Sequence, residues 1–89
     1  MSNDIKQVMK AAVVLEKYAR GERDFRGISL TRQNFKRKNL KNANFSNADI
    51  RGTQFTNANL ENANFSNADI RGTRFTNANL KGAVFRSAL

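Results

Sequence analysis

Residues 41–60 read KNANFSNADIRGTQFTNANL, and residues 61–80 read ENANFSNADIRGTRFTNANL. The two copies differ only at Lys41/Glu61 and Gln54/Arg74. A chain of 89 residues that gives 40 of them to one unit, said twice, points to stacking of like on like. Within the unit runs a shorter period of five. Phe25, Leu30, Phe35, Leu40, Phe45, Ile50, Phe55, Leu60, Phe65, Ile70, Phe75, Leu80 and Phe85 form an unbroken series. Neither a helix nor a strand buries one residue in five; a chain that turns a corner every five residues does. A second inward position lies two residues before each large one. From residue 43 onward it holds only Ala or Thr, which fit beside a large side chain near a crowded corner. The remaining positions are mostly Asn, Asp, Ser, Thr, Gly, Lys or Arg, the residues of tight turns and solvated faces.

The number of fives that closes one coil follows from what would stack. Three would set Phe45 on Leu60, and two would set Arg71 on Glu61. Four set Phe45 on Phe65, Ile50 on Ile70, Asp49 on Asp69 and Gly52 on Gly72. The twenty-residue unit is therefore one four-sided coil of a β-solenoid, with successive coils roughly 4.8 Å apart. The expected core columns are Phe45, Ile50, Phe55, Leu60, Phe65, Ile70, Phe75 and Leu80, with Arg71 facing outward beside Ile70. At roughly 1.5–3 kcal/mol for each large side chain fully buried, such columns offset the ordering of a short solenoid.

Residues 3–20 follow a different period. Ile5, Val8, Ala12, Leu15 and Ala19 recur at spacings of three and four, widened by Met9, Ala11, Val13 and Tyr18. Lys6, Lys10 and Lys17 fall on the other side, which predicts an amphipathic helix. Ser2 or Asn3 is placed to cap its start and Gly21 to end it, with Lys17 and Arg20 at the favourable end of its dipole. A helix of that length, about 27 Å, would lie across the first coil as a lid over Phe25, Leu30, Phe35 and Leu40. The expected organisation is thus a helical cap, residues 1–20, and a β-helix, residues 21–89, forming one domain.

The run NANFS-NADIR-GTQFT-NANLE-NANFS-NADIR-GTRFT-NANLK resembles the pentapeptide-repeat family, whose pattern is A(D/N)LXX. The resemblance extends over residues 23–88, and VLEKYARGERDFRGISL is similar to the helix-then-coil entry of small cyanobacterial members. It implies a right-handed quadrilateral β-helix, here of about three and a half coils of twenty residues capped by an N-terminal helix. The first coil departs from the pattern. Arg23, Ile28, Gln33 and Lys38 stand where the small inward residue belongs, so a distorted coil with splayed stems is expected there.

Composition narrows the chemistry. The chain has no Cys and no His, which removes disulfides, thiolate metal sites and the commonest general base. The longest apolar run, Ala11 to Leu15, is too short to span a membrane, and no signal-peptide pattern opens the chain; the expected location is cytoplasmic. No nucleophile–base set can be assembled and the coil interior is filled. No catalytic residue, cofactor or small-molecule substrate is therefore expected, and the chain reads as a non-enzyme. Asp49 and Asp69 should stack, but with Arg51 and Arg71 nearby they read as turn residues, not as a metal pair. Asn44/Asn64 and Asn59/Asn79 read as structural amide ladders. Gly21-Glu22-Arg23 lacks what a phosphate loop needs. Tyr18 reads as a packing residue of the lid.

The net charge of +9 is unevenly placed. Arg32, Lys36, Arg37, Lys38 and Lys41 crowd into ten residues without an acid, a candidate polyanion patch. At the other end, residues 70–89 are expected to show an open face of Ile70, Phe75, Leu80 and Phe85, with Leu89 beside it. Two copies meeting there would form a homodimer, and another repeat protein could dock on the same surface. Three functions remain open: a structural or protein-interaction module, polyanion (nucleic acid) binding through the first coil, and the DNA mimicry toward topoisomerases seen in some members of the family. The last needs a negative rod, which this chain is not.

Overall fold

A computed structural model describes residues 7–89. From residue 24 onward the backbone pairs with itself in parallel at an offset of twenty: Asp24 with Asn44, Ser29 with Asp49, Asn34 with Gln54, Asn39 with Asn59, and so on to Asn64 with Val84. The links are short and regular. Phe25 N–H donates to Asn44 O at 2.8 Å, and Asn44 N–H donates back to Arg23 O at 2.8 Å. Each of the four sides is thus a narrow parallel ladder, and the coil spacing is that of a sheet.

Between sides, the chain turns on four residues closed by a backbone bond, as when Ala48 N–H donates to Phe45 O at 3.1 Å. The third residue of every such turn has a positive φ. The series runs Gly27, Arg32, Arg37, Asn42, Asn47, Gly52, Asn57, Asn62, Asn67, Gly72, Asn77, Gly82 and Ser87, with φ between 57° and 73°. Asn and Gly tolerate that region best, which accounts for their recurrence every fifth residue. The Asn or Asp on each side has its own task. Asn34, Asn39, Asn44, Asp49, Asn59, Asn64, Asp69 and Asn79 each accept the backbone N–H two residues on, at 2.9–3.3 Å. The expected amide ladders are therefore local turn braces, and the coil-to-coil links are made by the backbone.

The interior is two facing stacks of phenylalanine with Leu and Ile on the other two sides. Phe25, Phe45, Phe65 and Phe85 stack at 5.6, 5.4 and 5.0 Å. Phe35, Phe55 and Phe75 stack at 5.4 and 5.6 Å. The stacks meet edge to face, as at Phe55–Phe65, 6.0 Å apart and 70° inclined. Thr53 and Thr73, at the small inward position, donate their hydroxyls to Leu30 O and Ile50 O. That leaves no buried polar side-chain atom without a partner among the described residues. The expected core columns are fully buried only as far as Phe65. Ile70, Phe75, Leu80 and Phe85 are partly buried, because the described residues place no coil over them, and Leu89 is exposed.

The helix departs from expectation. α1 spans Ala11–Ala19, nine residues and not eighteen, about 14 Å long. Of its expected start, Ser2, Asn3, Ile5 and Lys6 lie outside the described residues. Val8 is extended and pairs in parallel with Ser29, and Met9 N–H donates to Ser29 O at 2.8 Å. That entry on the coil ladder precludes a helix through residue 9. It also shifts the buried stripe. Val14 is fully buried, with Ala11, Leu15 and Tyr18 packed against the core, while Val8, Ala12, Val13 and Ala19 are exposed. The helix ends in a Schellman motif: Gly21 N–H donates to Tyr18 O, Glu22 N–H donates to Lys17 O, and Gly21 has φ +97°.

Of the four unusual inward residues of the first coil, two meet this helix, one packs on the core and one meets solvent. Gln33 Oε1 accepts Ala11 N–H at 2.9 Å and so caps α1, whose preceding residue Lys10 makes no side-chain cap. Arg23 lies over the Tyr18 ring at 3.6 Å and donates to Tyr18 O. Ile28 packs against the core, and Lys38 is exposed. The coil backbone keeps its twenty-residue register, so the expected distortion does not reach the main chain.

Candidate anion-binding groove

The outward columns decide what the rod presents. Each D-x-R triplet closes on itself. Arg26 pairs with Asp24 at 2.8 Å, Arg51 with Asp49 at 2.8 Å, and Arg71 with Asp69 at 2.6 Å. Arg51 also reaches Asp69 in the next coil at 3.7 Å, so it spans the two stacked carboxylates. The side-chain hydrogen bond from Arg71 is the main cause that holds Asp69 down to about 2. Asp49 and Asp24 are lowered first of all by the bonds from Arg51 and Arg26. Lys41 pairs with Glu61 at 3.9 Å, and Arg20 with Glu16 at 2.6 Å. Among the described residues no group of His, Cys, Asp and Glu is arranged to hold a metal ion.

Five carboxylates of the solenoid and helix are thereby occupied by neighbouring cations, and the uncompensated charge lies elsewhere. The five candidate patch residues do not form one patch. Four of them sit on three successive corners, at 31/32, 36/37 and 41/42, and Lys38 lies off these corners. Arg32 joins Thr31, Arg51, Gly52, Arg71 and Gly72 around a shallow depression of about 370 Å³. Lys38 is exposed on the next side, and Lys41 has Glu61 as partner and its carbonyl accepts the Tyr18 hydroxyl at 2.8 Å. Lys36 and Arg37 instead line a groove of about 600 Å³ with Gln54, Thr56, Asn57, Arg74 and Thr76.

Arg74 is the member that sequence reasoning missed, and the signal was present. It is one of the two positions at which the copies differ. Asn34, Gln54 and Arg74 form one paired column, so Arg74 stacks on a neutral amide. At the other difference Glu61 lies over Lys41 and pairs with it. Neither difference sets like charges one coil apart. The groove that results has cations in the first and third coils and neutral hydrogen-bonding groups between them, with no carboxylate in its lining.

Comparison with known proteins places this architecture. A family model described as a pentapeptide repeat region matches residues 23–88. A pentapeptide repeat protein from the Arabidopsis thaliana thylakoid lumen is 41% identical, with a TM-score of 0.73 over 74% of this chain and 46% of its own. HetL, a pentapeptide repeat protein involved in heterocyst differentiation regulation from Nostoc sp. strain PCC 7120, is 30% identical. Its TM-score is 0.54, over 90% of this chain and 36% of its own. The chain thus spans less than half the length of either. No curated protein sequence matches it.

Proposed function

Because the chain belongs to the pentapeptide-repeat family, whose members fold as right-handed quadrilateral β-helices and are typically non-catalytic, we propose that it is a non-catalytic protein-interaction module. In this reading residues 21–89 form a rod of about three and a half coils, residues before them close its first coil through α1, and a partner reads its polar faces. The observation that carries the reading is the filled interior. Phenylalanines stacked at 5.0–5.6 Å occupy the axis, and the two depressions described above are open and lie on the outer surface. The involvement of HetL in heterocyst differentiation regulation is in keeping with such a role. Capture from the source cell at physiological ionic strength, about 0.15 M, tests it. The reading expects a defined partner, retained by the native chain and lost on substitution of one face. Retention that follows only net charge, or none, contradicts it.

Pairing of two copies through residues 70–89 is carried forward as part of the same reading, supported by the half-buried row Ile70, Phe75, Leu80 and Phe85 and by exposed Leu89. Sedimentation of the chain and of Phe85→Lys tests it: a concentration-dependent dimer abolished by the substitution supports it, and a monomer unaffected by the substitution removes it. DNA mimicry is opposed by the net charge of +9.

A further inference from the structure

We propose that the groove lined by Lys36, Arg37 and Arg74 is a docking site for an acidic peptide segment of a partner protein, an assignment that rests on the interaction-module reading. Three observations converge on it. The first is charge. Asp24, Asp49, Asp69, Glu61 and Glu16 are each ion-paired elsewhere, and no carboxylate pairs with Lys36, Arg37 or Arg74 among the described residues. These exposed cations are therefore free to meet a counter-charge from outside. The second is placement. Lys36 and Arg37 belong to the first coil and Arg74 to the third, two coil spacings away, or about 10 Å. A bound chain would meet positive charge at both edges and the Gln54 and Asn57 amides and the Thr56 hydroxyl between them. Those neutral groups suit a peptide backbone and carboxylates together.

The third observation separates a peptide from a single-stranded nucleic acid. Binding of single strands draws on exposed aromatic rings for base stacking. All seven phenylalanines here are packed against one another or against the core. The single tyrosine has Arg23 over its ring and its hydroxyl bonded to Lys41 O. The groove offers charge and hydrogen bonds but no stacking surface.

The test is fluorescence anisotropy of a labelled peptide of alternating Glu and Ser, about ten residues long so that it outspans the groove, titrated with the full chain at low salt. The groove variant is Lys36→Thr, Arg37→Asn, Arg74→Gln, each substitution taking the residue that the second coil holds at the stacked position. The control removes three charges elsewhere: Lys10→Gln, Lys81→Gln, Arg86→Ser. The groove variant should lose about ten-fold in affinity, Arg74→Gln alone should lose part of that, and the control should stay within about two-fold. Equal losses in both triple variants would reduce the effect to net charge and overturn the site. So would absence of peptide binding at low salt. Tighter binding of an equally charged DNA strand, lost in the same groove variant, would overturn the peptide assignment in favour of nucleic acid. Failure of peptide binding leaves the module reading standing, since that reading falls only if capture from the source cell retains no defined partner.

Discussion

At the corner, one backbone angle sets the choice of residue. Thirteen consecutive turns place their third residue at positive φ, and Asn or Gly fills ten of them. Arg32, Arg37 and Ser87 are the three costly exceptions, since a left-handed conformation disfavours an ordinary side chain by about 1–2 kcal/mol. Arg32→Asn should therefore stabilise the chain by about 0.5–1 kcal/mol in urea unfolding; a loss of stability would mean that the Arg32 side chain contributes more than its backbone costs. Gly82 is the opposite case. A Cβ there would collide with Asn62 Oδ1 in the coil before it, so only that side chain's movement could admit one. The D-x-R triplets give a pH signature. Asp69 is lowered to about 2 chiefly by the Arg71 hydrogen bond, and Asp49 and Asp24 shift the same way. A carboxylate whose folded value lies below its unfolded value of about 3.9 stabilises the fold fully above that value. The contribution is lost as pH falls through the folded value. Thermal stability should therefore decline between about pH 4 and pH 2, and Asp69→Asn should flatten the decline. An Asn variant with an unchanged slope would assign the acid sensitivity to other groups.

At the level of the element, α1 is held by one fully buried side chain, Val14, and by a cap borrowed from the coil, Gln33. Val14→Ala removes two methyl groups from a closed site and should cost about 1.5 kcal/mol. Ala12→Ser should stay within about 0.5 kcal/mol, although Ala12 belongs to the stripe that the sequence periodicity suggests. The reverse order in denaturant unfolding would restore that stripe. The misplacement has a physical source. Apolar residues are so frequent between Ile5 and Ala19 that two phases satisfy a helical period, and Ile5 and Val8 select the wrong one. What decides the phase is a main-chain bond, from Met9 N–H to Ser29 O, and backbone donors leave no mark in the sequence. Gln33 as a cap is equally silent, because its partner lies 22 residues away. The Gly21 terminus was legible, since a left-handed cap is a local requirement.

For the molecule as a whole, near-identity at twenty residues made the coil legible: identical residues one coil apart need identical surroundings, and only four sides supply them. Burial at the two ends was less so, as it depends on what lies over Phe25 and over Ile70 and not on their own identity. The groove was half legible. Its first-coil cations stand together in the sequence, while Arg74 joins them only through the stacking. The charge columns carry a further prediction. Glu61→Lys would place a third lysine between Lys41 and Lys81 in one column, and should lower thermal stability at low salt, with the loss recovered at high salt. A loss insensitive to salt would point to packing and not charge. The premise beneath core, ion pairs and groove alike is that residues twenty apart are neighbours. The chain has no cysteine, so pairs can be introduced cleanly. Asn59 and Asn79 pair across adjacent coils, a spacing near 4.8 Å that lies within the range a disulfide spans. In dilute protein under mild oxidation, Asn59→Cys with Asn79→Cys should form an intramolecular disulfide readily, detected by mass, and Asn59→Cys with Arg74→Cys should not. Faster closure of the fifteen-residue pair than of the twenty-residue pair would contradict the four-sided coil.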